Sequence, residues 1–129
     1  MSVEYQIDSA QGVVFVRCSG VVTVAEMWDA GQRLRSDPTF EADQRLLIDL
    51  HEVTGMDTPS DALHHFAKDG DPFSGKSRRA VVAPQTYAYG VARMYEALRE
   101  DRDKGEFRVF RTMDEAREWL RLGSGATSA

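Results

Sequence analysis

The chain has 129 residues, a net charge of −5 and 42% hydrophobic residues. That length suits one folded domain, the apolar share excludes a disordered chain, and the acidic balance argues against nucleic acid or an anionic membrane surface as a partner. The single cysteine, Cys18, excludes an intrachain disulfide and suits a reducing cytoplasm, the expected location.

Met1-Ser2-Val3-Glu4 has neither a basic region nor an apolar core, so no signal peptide is read. No apolar run approaches the roughly 20 residues that span a bilayer, so no stable membrane insertion is expected. Val3, Tyr5 and Ile7 alternate with Glu4, Gln6 and Asp8, the period of a half-exposed strand. Ser9 to Gly12 is a turn, and Val13 to Cys18 is a second strand. The connection is short enough only for an antiparallel hairpin. Thr23-Val24-Ala25-Glu26 fits a capping box. Val24, Met27, Trp28, Gly31, Leu34 and Arg35 then recur at helical spacing, until Asp37-Pro38 stops the helix.

Arg45 to Leu50 packs four apolar residues into six, which reads as a strand buried on both faces. The stretch from His51 to Asp57 reads as a polar loop. Thr58-Pro59-Ser60-Asp61 reads as a helix start, with Thr58 as cap and Pro59 in the first helical position. Ala62, Leu63, Phe66 and Ala67 should face inward, and His64, His65 and Lys68 outward. Asp69 to Arg79 is a connection, or a lid with Phe73 at its tip. Arg78 to Ala83 is a strand. Thr86 opens a third helix, with Tyr87, Val91, Met94, Tyr95 and Leu98 on one face. Glu106 to Arg111 is a strand. Thr112-Met113-Asp114-Glu115 repeats the capping box before a last helix with Ala116, Trp119 and Leu120. The order β-β-α-β-α-β-α-β-α predicts one α/β domain over residues 1–122. Its mixed sheet should have five strands, the first antiparallel, and four helices. Residues 123–129 form a Gly/Ser/Ala tail expected to be flexible.

Four stretches in this order carry a resemblance: Gly12 to Arg17, Leu47 to Gly55, Ala88 to Glu96 and Val109 to Ala116. With them the chain resembles the bacterial SpoIIAA-like family, akin to STAS domains and more loosely to CRAL-TRIO lipid carriers. Phosphorylatable STAS domains carry Asp-Ser-Ser-Gly after the central strand, and the second serine takes the phosphate. The matching stretch here is Asp57-Thr58-Pro59-Ser60, so the receiving position is Pro59, which has no hydroxyl. The resemblance therefore implies the non-switching branch, of small-hydrophobe carriers or interaction modules.

Candidate chemistry is sparse. His51-Glu52 is half of a zinc-protease motif, but Gly55 stands where the second histidine belongs. His64 and His65 are adjacent, about 100° apart on a helix, and do not share a metal easily. No metal site, no catalytic set and no cofactor is expected. Asp49 and Asp57 flank one stretch and could form an acid-base pair, although an aspartate at a strand end more often caps backbone amides. Met27, Trp28, Tyr87, Tyr89, Met94, Tyr95 and Phe66 read either as core or as the wall of a pocket. Tyr87 and Tyr89, two apart, cannot both face the sheet. Tyr89 and Arg93, one turn apart, could hold the polar head of an amphipathic ligand. Two functions follow as expectations. One is a non-catalytic carrier or sensor of a small apolar or amphipathic molecule. The other is an interaction module, with a homodimer through the third helix using Tyr89, Arg93 and Glu96.

Overall fold

The computed structural model describes residues 2–99 and 106–122; the expected tail at 123–129 lies outside them. Among the described residues the order is β1 (Val3–Asp8), β2 (Val13–Thr23), α1 (Val24–Ser36), β3 (Arg45–Asp57), α2 (Ser60–His65), β4 (Arg78–Val82), α3 (Thr86–Arg99), β5 (Glu106–Phe110) and α4 (Met113–Trp119). The five strands form one sheet in sequence order. β1 runs antiparallel to β2, and the other three pairings are parallel. The predicted architecture is the observed one.

Local chemistry explains the element boundaries. Gly12 turns the β1–β2 hairpin at φ +69°, a conformation that suits a residue without Cβ. Thr23 caps α1: its hydroxyl accepts from the Glu26 amide at 3.2 Å, and the Glu26 carboxylate accepts from the Thr23 amide at 3.1 Å. The Glu26 carboxyl is held below its ordinary range, chiefly by the Ser2 hydroxyl and then by the Thr23 amide. Thr112 likewise accepts from the Glu115 amide to start α4.

Three boundaries differ from the sequence reading. His51 to Asp57 is strand, not loop. β3 carries an extra residue opposite the Arg17–Ser19 step of β2 and another opposite the Gly20–Val21 step. These bulges break the two-residue alternation, which is why a paired strand reads as polar loop. β2 correspondingly runs on to Thr23, so Cys18 lies within the strand and not near its end. Beyond β4, the edge of β3 is capped by the start of α3 and the residue before it: the Gln85 amide donates to the Leu50, His51 and Val53 carbonyls, and the Tyr87 hydroxyl to Val53 at 2.9 Å. Side chains of this kind block the addition of a further strand. At α2, the cap is Pro59 and no side chain caps it; Thr58 lies one residue too early.

α2 runs directly into a π-helical turn, Phe66–Gly70, closed by the Asp71 amide donating to the Phe66 carbonyl. The sheet is covered unequally. Alternate residues such as Leu47, Ala80 and Val82 face α4. Leu50, Val81 and Cys18 face the other way, toward the layer made by α1, α2, the π-helical turn and α3.

Candidate functional site

The sheet face under α1 and α3 holds a cavity of about 140 Å³. Its floor is Val16 and Cys18 of β2, Ile48 of β3 and Val81 of β4, and its roof is Met27 and Ala30 of α1 and Ala92 of α3. Val16 and Ile48 are register partners at the centre of the sheet, on the helix-covered face, yet both are only half-buried. The cause lies in the helices. Two of the buried positions over the cavity are small: Ala30 on α1 and Ala92 on α3. Short side chains at mid-helix leave space above the strand centres that a Leu or Ile would occupy.

The wall is carbon almost throughout. Phe66, Tyr95 and Phe107 form a chain of rings along one side, with centroids 6.0 and 5.6 Å apart. Met27 and Met56 add thioethers. Among the described residues Asp71 is the one carboxylate on the wall, and its side chain is 6% exposed. Both of its oxygens are engaged. Oδ1 accepts from the Phe73 amide at 2.9 Å; Oδ2 accepts from the Tyr95 hydroxyl at 2.5 Å and lies 3.5 Å from the Arg99 guanidinium. Burial, and then the Asp71 charge, push the Tyr95 hydroxyl well above its ordinary pKa. Cys18 is pushed up to about 12, first by burial and then by the charges of Asp49 and Glu26.

The residues singled out in the sequence divide. Met27 lines the cavity. Trp28 and Met94 pack in the helical layer, Trp28 tilted against His65 at 5.3 Å and edge-on to Phe66 at 5.7 Å. The inward face of α3 is corrected: Ala88, Ala92, Tyr95 and Arg99 are buried, whereas Tyr87 is 43% exposed. Tyr87 is held outward by its bond to the β3 edge, and the small alanines let the helix approach the sheet. Tyr89 is the half-buried one of the pair, and the Arg111 guanidinium lies 4.3 Å above its ring. Arg93 is exposed, pairs with Glu96 at 2.9 Å and bonds Tyr89, outside the cavity. Tyr89 and Arg93 therefore meet, as their spacing implies, but away from the apolar space.

Asp49 accepts from the His51 amide at 2.9 Å, bracing the first bulge. Seven residues of strand lie between it and Asp57, a span of roughly 25 Å at the rise of a strand, too far for a shared acid-base role. Thr58 directly follows the last strand residue, Asp57. Phe73 is no exposed lid tip: it is buried, against Phe40 at 5.2 Å and on the cavity wall. Among the described residues no group of three or more His, Cys, Asp or Glu is placed to hold a metal ion, and no helix is long and apolar enough to cross a membrane. The cavity residues that sequence reasoning passed over include Val16, Ile48, Ala30 and Ala92. Their one signal was the pairing of small mid-helix residues with a large-residue strand centre.

Among solved structures, the chain is similar to an uncharacterised protein of the DUF3478 family with a SpoIIAA-like fold from Shewanella loihica PV-4. The TM-score is 0.56 at 20% identity, covering 92% of this chain and 91% of that one. It is also similar to the anti-sigma factor antagonist SpoIIAA in its unphosphorylated form. Here the TM-score is 0.54 at 12% identity, covering 92% of this chain and 97% of that one. At these identities the likeness establishes the fold, which is SpoIIAA-like. No protein-family model and no curated protein sequence matches the chain.

Proposed function

We propose that this SpoIIAA-like domain is a non-catalytic sensor or carrier that holds a small, mostly apolar molecule between its sheet and helices α1 and α3. The observation that supports it is the half-buried pair Val16 and Ile48 at the sheet centre, beneath a cavity of about 140 Å³. Interiors normally pack to crystal-like density, so this much apolar space under a helix layer weakens the fold unless something uses it. Pro59 in the place of the phosphate-accepting serine supports a non-switching role. Native mass spectrometry of freshly purified protein, followed by solvent extraction, tests the reading. A co-purifying apolar species is expected. A protein without one, whose melting temperature no apolar compound raises, would contradict it.

A second reading, an interaction module, is favoured by the exposure of Tyr87 on the first turn of α3, at 43%, and of Val21 on β2, at 55%. Tyr87 replaces Tyr89 as the residue to test for a homodimer through α3, because Tyr89 is engaged with Arg111 and Arg93. Light scattering at high concentration, with Tyr87→Glu as the disrupting variant, decides it. A strict monomer counts against this reading.

A further inference from the structure

Taking the cavity as the ligand site, and so resting on the carrier reading above, we infer that its ligand is a small, uncharged, ring-containing hydrocarbon and not a fatty acid or other charged amphiphile. Size is the first argument. An engineered protein cavity of about 150 Å³ lined by Leu, Ile and Phe binds benzene. A cavity of about 140 Å³ therefore has room for roughly six to eight non-hydrogen atoms by that comparison, and a long acyl chain exceeds it. Charge is the second. Among the described residues Asp71 is the one carboxylate on the wall, and both of its oxygens are already engaged by the Phe73 amide, the Tyr95 hydroxyl and Arg99. The Tyr95 proton points to Asp71, so the hydroxyl has no donor left for a guest. Among the described residues of the wall, a carboxylate in the cavity would meet no donor stronger than the Cys18 thiol, a weak one, and would face Asp71. A cation would have to displace Arg99. Burying an ion without a partner is prohibitive. The shape of the wall is the third argument. Phe66, Tyr95 and Phe107 present rings, and Met27 and Met56 present thioethers. Edge-to-face contacts and sulfur–ring contacts both favour an aromatic guest over a plain alkane of the same size.

The test is a matched panel against the full 129-residue chain: toluene, benzoate, benzylammonium and decanoate, by thermal shift and calorimetry. Toluene is expected to raise the melting temperature by several degrees, with a sub-millimolar dissociation constant. Benzoate and benzylammonium are expected to bind at least a hundredfold more weakly. Ala92→Leu, which adds a side chain to the roof, should abolish the toluene shift while the variant still melts cooperatively. Binding of decanoate or benzoate as tight as that of toluene overturns the ligand class but leaves a carrier standing. No shift with any compound, or a toluene shift that is unchanged in Ala92→Leu, overturns both.

Discussion

Val16 and Ile48 face each other across the β2–β3 pairing at the centre of the sheet, and neither is fully buried. The roof above them is Met27, Ala30 and Ala92, so side-chain size on α1 and α3 decides how the layer packs. Ala92→Leu extends into that space. In a filled core such an insertion destabilises by about 1–3 kcal/mol, whereas each methylene placed in apolar space stabilises by about 0.8 kcal/mol. We expect Ala92→Leu to be neutral or to stabilise by up to about 2 kcal/mol by these figures. Ala88→Leu, at a fully buried position off the cavity wall, should destabilise by about 1–3 kcal/mol. Chemical denaturation of the two variants gives the comparison.

Gly31→Ala reverses the usual helix rule. Alanine in place of glycine at mid-helix ordinarily stabilises by about 1 kcal/mol. Here a Cβ would lie 2.8 Å from the Gly70 carbonyl oxygen, which is backbone and cannot swing away. The helix and the π-helical turn would have to separate. A net loss of about 1–3 kcal/mol is expected, the range for overpacking, read as a lower denaturation midpoint.

Tyr95→Phe removes the hydroxyl that donates to Asp71 at 2.5 Å. The buried carboxylate keeps the Phe73 amide and Arg99 but loses its shortest bond. Hydrogen bonds to charged groups contribute about 1.5–3 kcal/mol, and a loss of that order is expected. Toluene binding should survive, because this hydroxyl does not serve the guest.

Cys18 predicts an alkaline dependence. Its folded pKa, about 12, lies above that of an unfolded thiol, so the unfolded chain loses the proton first as pH rises. The contribution is fully present below the unfolded pKa and declines through the folded one, by up to about 1.4 kcal/mol per pH unit. Tyr5 and Tyr95 are also raised and add to the decline at higher pH. Between pH 9 and 10, Cys18→Ala should therefore lose stability more slowly than the wild type. Burial both shields Cys18 and keeps its thiol protonated near neutral pH, so a thiol reagent should label it only after denaturation.

The fold was legible because most of its signals are local. Alternation in Val3 to Asp8, the Thr23–Glu26 and Thr112–Glu115 pairs, and the apolar run at Leu46 to Leu50 each act within a few residues. What was hidden depends on contacts far apart in sequence. The strand at Glu52 to Asp57 exists because β2 pairs with it through two bulges, and bulges erase the periodicity that marks a strand. The choice between Tyr87 and Tyr89 is made by Val53 and Arg111, which lie on other elements. The cavity was the least legible feature. The sequence drew attention to large residues such as Trp28 and Met94, which fill space, while Ala30 and Ala92 create it.

The most direct test follows the methyl resonances of Ile48 and Val81 by nuclear magnetic resonance as toluene is added. Ring-current shifts that saturate in the wild type and vanish in Ala92→Leu are expected. Methyl resonances that stay fixed at saturating toluene, or that move equally in Ala92→Leu, would contradict a ligand site between the sheet and helices α1 and α3.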